Sequence, residues 1–320
     1  MMPGQSPDHD HSLLGSIDVP AGWHRTSGKV REALWGPDAG VLLTTDRISA
    51  YDVVLGEIPG KGAILNQLSL FWLKQTADII PNHLVHELGP RSVVVTPCRV
   101  LPVEVIVRGY LTGSAWRAYR DGQSLSGITL PAGLQEHHRF AEPIITPSTK
   151  ADAGSHDTPI SREEILGLGV VDPAVWQQVE TAALALYRRG SEIVAANGLV
   201  LVDTKYEFGI APDGRLHLID EIHTPDSSRF WFRDDLDSEL QVTPGSQPRS
   251  LDKEFLRSFL RDAGFTGEGT PPSLPDDIRR EVARRYRETY RLITGDEFDR
   301  EVATVTEELP AIIEFLQRHR

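Results

Sequence analysis

Apolar and polar residues alternate with a period of two through the middle of the chain and with the helical period toward its end. Leu199-Val-Leu-Val202 is an apolar run; beyond it Asp203, Lys205 and Glu207 share one side of an extended chain, and Thr204, Tyr206 and Phe208 the other. Pro212-Asp213-Gly214 signals a turn, and 216–222 supplies a returning strand. A two-residue loop at Asp213-Gly214 predicts Glu207 opposite Asp220, with Cβ atoms about 5 Å apart. Segment 16–64 reads as β-rich, and 93–95 and 99–107 as further strands. Helical periodicity covers 65–80, a long stretch from the Asp172-Pro173 cap to Asn197-Gly198, and 252–263, 275–293 and 297–318. Residues 121–160, rich in Gly, Pro, Ser and Thr, predict a long binding loop. The pattern gives a mixed α/β chain with several antiparallel strands.

Acids crowded on adjacent strands repel unless neutralised. A hard divalent cation shared with phosphate oxygens is the natural solution, with Lys205 on the same face placed to meet a phosphate or carboxylate; a solvated acidic hairpin is the plain alternative. Gly28-Lys29, in a small turn between strands, is a candidate phosphate cover, although Gly-Lys at a hairpin edge is common. Gly60-Lys61-Gly62 lacks the spacing of a Walker A loop. Glu104 and Arg108 share one side of a strand that runs into Thr112-Gly113-Ser114, where a helix N-terminus beside an arginine suits a phosphate; a simple Ser cap is equally consistent. Lys150 and Asp152 lie in the long loop, and Ser227, Ser228 and Arg229 follow the hairpin.

Composition narrows the classes. The chain has 320 residues, 40% hydrophobic and 25% charged, as in a soluble globular protein, and no run approaches the roughly 20 apolar residues of a membrane span. A net charge of −13 argues against nucleic acid and anionic membranes, leaving small anions met by local Lys and Arg. One cysteine, Cys98, fits a reducing cytoplasm and reads as a buried structural thiol. The start, MMPGQSPDHDHS, has neither a basic region nor an apolar core and predicts a tail with His9 and His11 solvated.

Taken together, Ser27-Gly-Lys-Val-Arg31, Asp46-Arg-Ile-Ser-Ala-Tyr-Asp52, Glu104-Val-Ile-Val-Arg108 with Ser114, Thr149-Lys150, Leu201-Val-Asp-Thr-Lys-Tyr-Glu207, and Ile219-Asp-Glu221 with Pro225-Asp-Ser-Ser-Arg229 resemble the SAICAR synthetase family from about residue 22 to 260. The resemblance implies an α+β fold: a disordered tail over 1–15, a kinase-small-lobe-like lobe over 16–103, an ATP-grasp-like domain over 104–265 and extra C-terminal helices over 266–320, as in longer, yeast-like members. It implies ATP-dependent condensation of carboxyaminoimidazole ribotide (CAIR) with L-aspartate through an acyl phosphate, in a monomer or small homo-oligomer. By the same resemblance Gly28, Lys29, Arg31, Glu104 and Asp220 face ATP, and Glu104, Asp203, Glu207 and Asp220 hold Mg²⁺. Arg108, Ser114, Ser227, Ser228 and Arg229 hold the ribotide, with Lys150 and Asp152 expected near aspartate. Lys205, Asp203 and Arg229 are the expected catalytic groups; His223 is structural. A small-molecule kinase and a non-catalytic nucleotide-binding module remain as alternatives on the residues alone.

Overall fold

The computed structural model describes Leu14 and residues 17–150, 157–251, 253–298 and 304–319. Its first part contains β1 (His24–Ser27), β2 (Arg31–Trp35), β3 (Gly40–Thr44), β4 (Arg47–Ala50), β5 (Val53–Glu57), α1 (Lys61–Gln75), β6 (Leu84–Gly89) and β7 (Ser92–Val95). An antiparallel sheet runs β1-β2-β3-β7-β6, with β4 and β5 as a separate ribbon. Helix α1 begins four residues before the period suggests. The Asp46 carboxylate accepts from the backbone N–H groups of Gly60 and Gly62, at 3.3 and 2.9 Å, and so satisfies donors of the first turn from a distance.

The middle of the chain adds β8 (Arg99–Val100), β9 (Val103–Leu111), α2 (Gly113–Arg120), β10 (His138–Thr149), α3 (Arg162–Gly167), α4 (Pro173–Ala195), β11 (Leu199–Ile210), β12 (Leu216–Ile219) and β13 (Ser228–Phe232). The apolar entry of β11 explains its position at the centre of the second sheet: Leu199, Leu201 and Val202 are buried, and so are Tyr206 and Phe208. One edge of β11 pairs first with β13 and then with β12; the other pairs with β9 and then with β8. Strand β10 runs along β9 at the border of the sheet. It occupies ground expected to be a loop, because Pro143, Pro147 and an irregularity between Arg139 and Ile144 break the alternation that marks a strand.

The expected hairpin register is corrected by one residue. Glu207 lies opposite Ile219, not Asp220, because the loop closes from Ala211 to Arg215 around three residues, with Gly214 left-handed at φ 81°.

Helices α5 (Glu254–Asp262), α6 (Asp276–Thr294) and α7 (Val305–Gln317) complete the described chain. Leu256, Leu260, Val282 and Tyr286 join the main core with Trp72, Leu186 and Phe208. Helix α7 covers the first sheet through Ile312, Phe315 and Leu316, against Leu34, Val41 and Leu43. Its buried Glu308 accepts from the Arg91 N–H at 2.9 Å and the Ser92 hydroxyl at 2.5 Å, so these helices are more than the peripheral layer expected. Leu14, inside the expected tail, is buried in the same cluster; most of that tail, His9 and His11 included, lies outside the described residues.

Candidate active site

The polar face of β11 carries two clusters. At the first, the Asp203 carboxylate accepts from Arg229 at 2.6 Å and from Arg108 at 3.3 Å. Arg108 also donates to the Thr146 hydroxyl at 2.8 Å and the Ser114 hydroxyl at 3.3 Å. Ser114 therefore orients an arginine rather than capping α2, whose N-cap Thr112 makes no side-chain cap bond. Ser228 donates to Thr204 at 2.7 Å, and the Ser227 carbonyl accepts from the Lys205 N–H at 3.0 Å, which locks 227–229 against β11. A cavity of about 770 Å³ opens beside Ser114, Arg229, Arg257 and Arg261. A smaller one of about 100 Å³ is lined by the cations Arg229, Lys253 and Arg257 and the acids Asp203 and Asp226, with Ser227 and Ser228. More cations than acids line the smaller space, which suits an anion.

In the second cluster Lys205 Nζ lies 2.5 Å from Glu207, 3.1 Å from Glu104 and 3.7 Å from Asp220. Lys150 reaches Glu207 from the end of β10. Burial alone would raise the Glu207 pKa, but Lys205 and Lys150 bring it down to about 2. Burial lowers the charged state of Lys205, and Glu207 and Glu104 more than restore it, so its pKa stands above the ordinary lysine value. At Glu104 burial wins over Lys205 and the pKa is raised. Asp220 reaches Lys205 by a turn of the chain: its φ of 63° takes it out of the β12 ladder. Arg31, from the first sheet, pairs with Asp220 and lies 3.2 Å from Glu221. The two sheets thus meet at this cluster.

The expected four-acid metal set does not converge. Asp203 is two residues from Lys205 along an extended strand, about 7 Å away, and is closed by two guanidiniums. Among the described residues no three His, Cys, Asp or Glu side chains form a group able to hold a metal ion. Glu104, Glu207 and Asp220 each lie within 3.7 Å of Lys205 Nζ, and their hard carboxylate oxygens are the donor type that suits Mg²⁺ sharing its shell with phosphate.

The remaining candidates fall as follows. Gly28 and Lys29 occupy the β1–β2 turn, with Lys29 exposed and paired with Asp52. Asp52 and Tyr51 are both left-handed, at φ 65° and 51°, and both line the larger cavity. Asp152 lies outside the described residues. Cys98 is half-buried rather than buried, and burial pushes its thiol pKa up. His223 is fully buried, with Nε2 at 2.6 Å from the Tyr206 hydroxyl and its ring 4.6 Å from that of Trp72. Sequence reading missed Lys253, Arg257 and Arg261, whose spacing of four residues puts three cations on one helical face. Nor did the motifs containing Lys61 and Asp226 reveal that these two form a buried ion pair at 2.9 Å.

Comparison with known proteins places this geometry in context. The SAICAR synthetase family pattern matches residues 24–272. A phosphoribosylaminoimidazole-succinocarboxamide synthase of Bacteroides fragilis is 46% identical over 279 residues, covering 86% of this chain and 88% of its own. One from Methylobacillus flagellatus is 41% identical over 304 residues, covering 90% and 98%. Among solved structures, the Saccharomyces cerevisiae SAICAR synthase complexed with SAICAR superposes with a TM-score of 0.76 at 33% identity, covering 88% of this chain and 98% of that one. A SAICAR synthetase in complex with ADP gives a TM-score of 0.66 at 25% identity, covering 87% and 100%. With a family match over most of its length and relatives above 40% identity, the chain belongs to the SAICAR synthetase family.

Proposed function

We propose that the protein joins CAIR to L-aspartate at the expense of ATP, giving SAICAR, ADP and phosphate. The observation that carries this reading is the division of one strand face into an anion-binding end and an acid–lysine end. Arg108, Arg229 and Ser114, with Ser227 and Ser228, would bind the ribotide phosphate at the first end; the guanidiniums match phosphate geometry and Asp203 holds both in place. The ribotide carboxylate would then lie toward Lys205. ATP would approach from the cleft between the sheets, under the Gly28-Lys29 turn, with Arg31 beside Asp220.

A carboxylate is a poor acyl donor. In the proposed sequence its oxygen attacks the γ-phosphorus of ATP, ADP departs, and an acyl phosphate forms. The neutral aspartate amine attacks the acyl carbon, the C–O bond to phosphate breaks, and the leaving phosphate takes the amine's proton. Transfer of this kind needs positioning and charge neutralisation more than a protein nucleophile. Lys205, kept protonated by Glu207 and Glu104, supplies that charge at a fixed place. Glu104, Glu207 and Asp220 would hold Mg²⁺ together with nucleotide phosphates, while Asp203 belongs with the guanidiniums. A bound Mg²⁺ would offset charge on the phosphates. Lys150, on Glu207, is the described residue proposed nearest to aspartate.

Purified protein given ATP and CAIR is expected to release ADP in step with SAICAR, and only when L-aspartate is added. Equal ADP with and without aspartate would point to a kinase instead.

A further inference from the structure

The 224–229 loop is held from behind by a buried carboxylate. Asp226, which the proposed chemistry does not use, receives donors from three helical segments. Lys61, the first residue of α1, and Lys253, at the N-cap of α5, each lie 2.9 Å from Oδ2. The Tyr286 hydroxyl of α6 donates to Oδ1. Lys61 is fully buried, and the Asp226 side chain and Tyr286 are each 4% exposed. Burial would raise the Asp226 pKa, but Lys253, Lys61 and Tyr286 hold it well below the ordinary carboxylate range. The backbone beside it is equally constrained: Asp226 and Ser227 N–H groups both lie 3.3 Å from the Thr224 hydroxyl, and the Ser227 carbonyl meets the Lys205 N–H.

We propose that Tyr286, outside the stretch matched by the family pattern, is a positioning residue for ribotide binding: by fixing Asp226 it sets Ser227, Ser228 and Arg229 at the anion-binding end of β11. The geometry separates this from general scaffolding. Asp226 is one residue from Ser227 and three from Arg229, whereas the Gly28-Lys29 turn and Arg31, proposed for the nucleotide, come from the other sheet, and the acids proposed for Mg²⁺ lie outside the 224–229 loop. Loosening Asp226 should therefore weaken one substrate and spare the other. The inference rests on the proposed ribotide site.

The test is steady-state kinetics of the full chain with Tyr286→Phe, which keeps the ring and removes only the hydroxyl, alongside Arg108→Ala. Loss of one hydrogen bond to a charged group should raise the KM for CAIR about ten-fold, with the KM for ATP and kcat changed by less than about two-fold. Arg108→Ala should raise the same KM. If Arg108→Ala raises it and Tyr286→Phe does not, the positioning role is overturned and the ribotide site stands. If neither raises it, both are overturned. Equal rises for ATP and CAIR with Tyr286→Phe would reduce the tyrosine to scaffolding and also overturn the proposal. Should Tyr286→Phe fail to fold, Lys61→Met, which removes another donor to the same carboxylate, is read by the same split.

Discussion

Glu207 is kept ionised where burial alone would protonate it, because Lys205 and Lys150 approach its two oxygens. The arrangement is directional: a protonated lysine between acids is a fixed charge, and a fixed charge in a partly dry site acts on a developing anion with no reorganisation. Glu207→Gln and Asp220→Asn are each expected to lower kcat about a hundred-fold or more while leaving the far-UV circular dichroism unchanged. Near-normal turnover in both would remove these acids from the chemistry. At this scale the sequence was informative where alternation rules. Asp203, Lys205 and Glu207 on one face and Tyr206 and Phe208 in the core follow from the two-residue period. It was silent on the partners of Asp226, which are 165, 27 and 60 residues away. Only folding brings them together.

At the scale of elements, β11 is the spine, and what lies on it depends on neighbours whose register a sequence leaves loose. A two-residue loop was expected between β11 and β12, and one extra residue shifts every pair by one. In that register Asp220 continues a ladder whose next partner is Tyr206, on the buried face. The left-handed turn at Asp220 frees it to meet Lys205 and Arg31. Expected and observed structures agree on proximity to the site for different reasons. Strand β10 was illegible for a related cause: an edge strand can carry prolines and an irregularity because its outer side has few ladder bonds to lose. Helices α4 and α6 were legible, since the Asp172 carboxylate caps one with bonds to Ala174 and Val175 and the helical period marks both. The start of α1 was not, because its cap, Asp46, comes from another strand turn.

In the whole molecule, the first sheet packs against α7 and the second lies in the main core, and the two meet at Arg31, Asp220 and Glu221, beside the cleft proposed for ATP. Among the buried histidines, His83 and His223 make the stability of the fold sensitive to acid. Burial lowers His83 and His223 from 6.5 to about 3. Between those values the unfolded chain binds the extra protons, so their contribution is complete above about pH 6.5 and is lost as pH falls toward 3. Each histidine should cost about 1.4 kcal/mol per pH unit in that window. Urea unfolding from pH 7 to 5 should show falling stability, with a flatter slope for His223→Gln; an identical slope would show that His223 is not the buried neutral base described here. The ribotide carboxylate, proposed to lie toward Lys205, can be followed through the reaction by one isotope experiment. CAIR labelled with ¹⁸O in its carboxylate is converted with unlabelled ATP and aspartate, and the released phosphate is weighed by mass spectrometry. The account predicts one ¹⁸O carried into each phosphate from fully labelled CAIR; phosphate free of label would contradict it.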